Sequence, residues 1–391
     1  MAAPWSPRPS WPRLAICALA LGLAGLGAPK AESAERLIPS RSGLPWASGA
    51  SVSGSVPAAF ETWRHGRELD VRTVFFGIQS WSHQLTSARA LRRTLNEGHG
   101  RLVVALGLVP VSHAGQLEEC AAGLFDAQIR QLTSAMLNHG AQAAARKGEP
   151  IALRLGWEAN NTNGIYPWRA TGDGTSWRDC FKRWVDILDP AVDTDGDEAT
   201  PPERERRFLI VWNMANRGDF THPIDNLWPG DPYVDIVGSQ FYDRCPPLPA
   251  GNEAEWEKRL NLRAANGNPS GPQAWLDYAR SKGKTYAIPE WGVGGPQDIC
   301  AKPGIDNPYF MRKMYEFFWK NAADIAFEAY FNGHGDVDDR KGSHMLMAAS
   351  GPLRAIDVDG LDPTLERYNP LSAATYRDLW GKSVEPLPPE L

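Results

Sequence analysis

The chain has 391 residues, 42% of them hydrophobic and 22% charged, with a formal net charge of −5. That is enough apolar material for one large fold, and enough length for an α/β barrel, which commonly takes roughly 250 residues. The mild acidity, and the lack of a basic patch interleaved with aromatics, speak against nucleic acid or an anionic membrane as the main partner.

The amino terminus reads as a targeting segment. Arg8 and Arg13 precede an apolar stretch from Leu14 to Leu26, and small residues then lead to Ala31 and Ala34. A positive start, an apolar run and small residues at the exit define an export signal, placed at 1–34. The run is too short for a spanning helix, which needs about 20 residues, so no membrane insertion is expected. Leu14-Ala15-Ile16-Cys17 approaches a lipoprotein pattern, but Ile16 is bulky and the apolar run continues past the cysteine. The expected location is secreted or periplasmic. Residues 35–55 form a leader rich in small residues, 45–382 the catalytic barrel, and 383–391 an extended tail.

Strand-like runs follow at regular intervals. Pro45 to Val52 is a weak first, Val71 to Gly77 a second, Leu102 to Leu108 a third and Ile151 to Trp157 a fourth. Phe208 to Asn213, Tyr233 to Gln240, Thr285 to Glu290 and Ile325 to Phe331 complete eight. These runs are continuously apolar, as expected of strands covered on both faces. Helical patterns separate them at 122–146, at 177–188, and from Asn307-Pro308 through Trp319. Eight strands alternating with helices predict a single-domain (β/α)8 barrel over a doubly wound sheet. No Gly-rich phosphate loop follows the first clear strand, and no cofactor is expected.

Cys17 falls in the export signal, leaving Cys120, Cys180, Cys245 and Cys300. Four cysteines in an exported chain suggest disulfides, with three possible pairings. Cys120 and Cys180 follow the third and fourth strands, and Cys245 and Cys300 the sixth and seventh. Neighbouring loops on one rim can meet, so Cys120–Cys180 and Cys245–Cys300 are the expected pairs. No two cysteines have the close spacing of a zinc site. Asp193-Thr-Asp195-Gly-Asp197-Glu198 alternates acids as a calcium loop does but lacks the closing glutamate, so it reads as a solvated loop and no metal is expected.

The chemistry is carried by Glu158 and Glu290, at the ends of the fourth and seventh runs. A carboxylate ending an apolar run is costly to bury and needs a reason. Cleaving a glycosidic bond with retention requires two carboxyl groups about 5–5.5 Å apart, one a proton donor and the other a nucleophile. Strand ends at the carboxyl face of a barrel are rigid mounts for such a pair. Either glutamate alone is equally compatible with a structural ion pair, for instance to Arg154 or Lys284. Their joint placement favours catalysis. No Gly-x-Ser-x-Gly elbow accompanies them, against an esterase.

Arg154-Leu-Gly-Trp-Glu158-Ala-Asn160, followed by Tyr166-Pro-Trp168, resembles the strand-four motif of glycoside hydrolase family 26. Trp228-Pro-Gly-Asp231-Pro-Tyr233 leading to Tyr242 is similar to its sixth strand, and Ala287-Ile-Pro-Glu290-Trp291-Gly292 to its nucleophile segment. That family holds retaining β-mannanases, with some β-glucanases and xylanases, on (β/α)8 barrels. The resemblance implies Glu158 as acid/base, Glu290 as nucleophile, Tyr242 bonded to the nucleophile, Arg154 orienting the carboxylates, and Asn160 touching the sugar. Trp157 stands where the family usually has His, Gln240 where Asp is common, and Asn161-Thr-Asn163 is extra sequence.

Tryptophan is abundant, with 16 residues, many beside predicted strand ends. Some pack the core, and the rest are candidates to stack on flat sugar faces. Trp157, Trp168, Trp212 and Trp291 are assigned to substrate on that ground, with His113 as a further rim residue. The sequence thus predicts a monomeric hydrolase acting on a β-linked polysaccharide: a mannan, a glucan or a bacterial exopolysaccharide. The alternative is a barrel that binds polysaccharide without cutting it.

Overall fold

The computed structural model describes residues 36–52, 56–164, 166–192, 203–243, 246–294, 306–332, 346 and 369–382. The segment expected to be an export signal, the expected tail, the acidic loop at 193–198 and the expected Cys245–Cys300 pair lie outside them. Eight parallel strands close into a barrel: β1 Ser48–Ser51, β2 Val71–Phe75, β3 Arg101–Leu106, β4 Ile151–Leu155, β5 Phe208–Met214, β6 Ile236–Ser239, β7 Thr285–Val293 and β8 Ile325–Phe331. Each pairs with the next in sequence, and β8 pairs back with β1, so no edge is left open. This is the expected (β/α)8 architecture.

Side chains alternate across each strand, because successive Cβ atoms point to opposite faces of a sheet. Val71, Val103, Ala152, Leu209, Val211, Ile236, Ala287, Phe327 and Ala329 fill the barrel, closed underneath by Ile38 and Ala47. The opposite set, with the helices, makes a larger outer core rich in tryptophan. Helices α1 Val56–Trp63, α2 Trp81–Asn96, α3 Leu117–Ala121, α4 Asp126–Met136 and α5 Thr175–Leu188 cover the first half. Helices α6 Glu253–Leu260, α7 Pro272–Ser281, α8 Pro308–Lys320 and α9 Pro370–Tyr376 follow.

Local chemistry sets the helix starts. Ser80 caps α2 by accepting from the His83 amide, and Asn307 caps α8 by accepting from the Phe310 amide, with Pro308 at the first turn. The pattern predicted over 122–146 is interrupted after α4, where Gly140 takes φ 127° before a short helix Gln142–Arg146 resumes. Cys120 in α3 and Cys180 in α5 form the expected disulfide, closing a sequence separation of 60. Among the described residues no helix is long and apolar enough to cross a membrane.

Candidate active site

Two departures from regular strand geometry build the site. The first is on β7. Ile288 pairs with Glu328, yet the next pairing is Trp291 with Tyr330, so β7 carries one residue more than β8 across this stretch. That is a β-bulge, and it falls at Pro289-Glu290, where proline has no N–H to give a ladder. Ile288 and Trp291 both belong to the outer core, while Glu290 turns inward to pair with Arg154. Without the extra residue, strict alternation would send Glu290 toward the helices.

The second departure follows β4. The strand stops at Leu155 rather than running to Trp157, because Gly156 takes φ 55° and starts a turn. A Cβ there would sit 2.7 Å from the Leu108 side chain, so the position suits glycine. Glu158 then takes φ 57°, the left-handed region that side chains rarely occupy, and its amide donates to Asn213 O at 2.8 Å. Non-glycine residues in that region cost about 1–3 kcal/mol and collect at functional sites. Glu158 remains partly exposed.

Around Glu290 the inward residues of four strands converge. The Arg154 guanidinium, wholly buried on β4, forms an ion pair with Glu290 Oε1. Its Nε donates to Asn213 Oδ1 on β5 at 2.6 Å, and Gln240 Nε2, just past β6, reaches the same oxygen at 3.4 Å. Tyr242, on a short strand 241–243 beside β7, donates its hydroxyl to Glu290 Oε2 at 2.9 Å. Glu290 is only 7% exposed, so a cation and a phenol together hold an otherwise costly buried charge.

The two glutamates share an electrostatic neighbourhood. Burial pushes the Tyr242 hydroxyl pKa well up, and the charges of Glu290 and Glu158 push it the same way. Tyr166 is raised likewise, by burial first and then by Glu158 and Glu290. Both phenols thus lie within electrostatic reach of both carboxylates. Tyr166 stacks on Trp168 with ring centroids 5.0 Å apart, and Trp168 lies against Gly107, where a Cβ would come within 2.2 Å of its ring.

Several side chains assigned to substrate prove to be packing. Trp291 follows Glu290 but points outward, its indole donating to Glu328 Oε2 at 2.5 Å. Trp212 precedes Asn213 and also points outward, donating to Leu227 O at 3.0 Å and stacking on Tyr278. Trp168 donates to Trp157 O at 2.8 Å. All three are fully buried and present no face to a ligand. Trp157 is 2% exposed and wedged between Tyr166 and Trp168. Asn160 is used up: its amide donates to Ala215 O at 2.8 Å and accepts from Ala215 N at 2.6 Å. His113 packs with Trp81 and Phe125 in a separate rim cluster. The extra segment is tied to the next loop, the Thr162 hydroxyl donating to Asp219 Oδ1 at 2.9 Å.

Two residues not singled out from the sequence stand out. Phe75 ends β2 in the inward register, its ring centroid 5.7 Å from the Arg154 guanidinium carbon. Glu328 on β8 is wholly buried on the outer face and accepts from the indoles of Trp46, Trp291 and Trp380. A cavity of about 780 Å³ opens at the opposite end of the barrel, with Arg92 and Arg101 on its wall. Those guanidiniums donate to Asn138 O and Gly148 O, so they are engaged with backbone carbonyls there.

No family model matches the chain, and no curated protein matches it. Among solved structures, it is similar to the catalytic domain of an endo-β-1,4-mannanase of glycoside hydrolase family 26 from Bacillus sp. JAMB-750. That likeness has 16% identity, 86% of each chain covered and a TM-score of 0.54. A modular family 26 endo-β-1,4-mannanase from Cellulomonas fimi gives 17% identity and a TM-score of 0.47, covering 76% of this chain and 63% of that one. The chain thus spans under two thirds of the C. fimi protein. A family 26 β-mannanase from Bacteroides ovatus gives 13% identity, 85% coverage of each chain and a TM-score of 0.45. At these identities the likeness is one of fold.

Proposed function

We propose that the chain is a retaining glycoside hydrolase that cuts within a β-linked polysaccharide, with Glu290 as nucleophile and Glu158 as acid/base. The observation that carries this reading is the environment of Glu290: an inward carboxylate, set by a bulge, ion-paired to Arg154 and bonded by Tyr242. A carboxylate held by two groups from other strands is fixed in position, as an attacking group must be. Its neighbour Glu158 sits on a left-handed turn, partly open to solvent, where it can meet a leaving oxygen.

In the reaction, Glu290 attacks the anomeric carbon while Glu158 gives its proton to the departing oxygen. Glu158 then takes a proton from water, which releases the sugar from Glu290. As Glu290 passes from anion to ester, the Tyr242 hydroxyl and Arg154 lose a charge to bind, and both regain it on hydrolysis. The fold likeness to a Bacillus sp. endo-β-1,4-mannanase makes β-1,4-mannan the first substrate to try. The Cys120–Cys180 disulfide supports action in an oxidising compartment outside the cytoplasm.

Incubation with mannan, β-glucan and xylan, followed by assay of new reducing ends, tests the reading. The chain should release them from at least one polymer, and its Glu290→Gln variant from none. Retention of polymer without cleavage would favour a binding protein instead.

A further inference from the structure

We infer that Phe75 is a preformed platform that selects an uncharged pyranosyl unit at the mouth of the barrel. The inference deepens the proposed function and rests on it for the identity of the site. Phe75 is 42% exposed, and the other large apolar side chains exposed among the described residues are Val111, Leu124 and Leu371. Isolated exposed apolar residues are ordinary. Phe75 differs in where it points. Val71 and Thr73 before it on β2 face the barrel interior, while Arg72 turns out to donate to Thr94 O on α2. The alternation turns Phe75 inward, where its ring lies 5.7 Å from the guanidinium carbon that pairs with Glu290.

The ring is also braced. It meets Trp157 edge to face at 6.0 Å and Phe331 at 6.2 Å, and it lies within cation–π distance of Arg154. An aromatic ring held by three neighbours yet left open loses little entropy when a ligand lies on it. A pyranose ring offers such a surface on the face that carries its C–H bonds, and aromatic stacking rewards it.

Charge narrows the ligand further. The mouth holds two carboxylates, and the Arg154 guanidinium beneath Phe75 is already engaged by Glu290 and Asn213. With Glu158 carrying the proton it gives to the leaving oxygen, a uronate placed on Phe75 would add a second negative charge beside Glu290, and Arg154 balances only one, so the unit bound there is neutral.

Binding measured without turnover tests this. In the Glu158→Gln background, which removes the proton donor and keeps the Glu290–Arg154 pair, calorimetric titration would compare Phe75, Phe75→Ala and Phe75→Tyr with mannohexaose, cellohexaose, xylohexaose and an oligogalacturonide. Thermal melting of each variant confirms the fold. The expected result is that Phe75→Ala weakens the neutral ligand about tenfold, about 1.4 kcal/mol, Phe75→Tyr restores it to within about twofold, and the oligogalacturonide does not bind. Equal affinity for Phe75 and Phe75→Ala, preferred binding of the uronate, or binding of no neutral oligomer would overturn the inference. Failure of hydrolysis alone, with this binding pattern intact, would overturn the catalytic reading and leave Phe75 in its role.

Discussion

Glu290 and Glu328 lie on adjacent strands of one barrel, both buried, and they are held in opposite ways. Glu290 faces inward, with a guanidinium and a phenol as partners and a side open to the mouth. Glu328 faces outward, enclosed by three indole N–H groups that carry no charge. A charge held by a cation on the inward face can be used in a reaction. One wrapped in neutral donors inside the outer core ties β8 to Trp46 before β1, to β7 and to the closing helix. Residue type and burial do not separate the two, but strand face does.

The contrast is broken first by exchanging the effects. Glu290→Gln should lower turnover about 10⁴-fold or more, read by reducing-end assay, with a loss of stability in calorimetry that reflects only the unpairing of Arg154. If stability collapses and activity survives, the two glutamates have been assigned the wrong way round. Next in size is the disulfide near the rim. Replacing Cys120 and Cys180 with Ser should cost about 2–4 kcal/mol in denaturant unfolding, with activity kept at low temperature.

Tyr242→Phe removes one charge-assisted hydrogen bond from Glu290, worth about 1.5–3 kcal/mol, so kcat/KM should fall about 10- to 100-fold with little change in melting. Glu328→Gln should do the reverse. An amide cannot accept from three indoles as a carboxylate does, so stability should drop by about 1–3 kcal/mol with kcat nearly unchanged.

Glu328 also predicts a pH dependence. Burial raises its folded-state pKa, with the Ser48 hydroxyl and the indoles opposing. A carboxyl raised on folding keeps a proton that the unfolded chain has already lost. Its contribution is therefore full below the unfolded value of about 4.3 and declines as pH rises through the folded value. The parent should lose stability across that window and Glu328→Gln should lose less, as thermal melts at a series of pH values would show.

Much of the barrel was legible because its strands are continuous apolar runs that few other elements produce, and β8 has the bounds read from sequence. The errors have local causes. β6 begins at Ile236 because Asp231–Tyr233, with Pro232 inside, closes a 3₁₀ turn first. Glu158 was placed at a strand end, whereas the Gly156 turn carries it there. For the tryptophans on strands, a residue next to an inward one faces out, so Trp212 beside Asn213 went to packing. Trp291 did so as well, and there the bulge at Pro289 was the sign to read. An acid inside an apolar run is found equally at Glu328 in Phe327-Glu328-Ala329, so that signal alone does not separate a site carboxylate from a structural one.

Trapping the intermediate addresses the inward carboxylate most directly. Incubation with an activated 2-deoxy-2-fluoro glycoside of the accepted sugar, followed by peptide mass analysis, should find one fluoroglycosyl group per chain, esterified to Glu290. A label on Glu158 or Glu328, or none on a chain that still hydrolyses the polymer, would contradict the account.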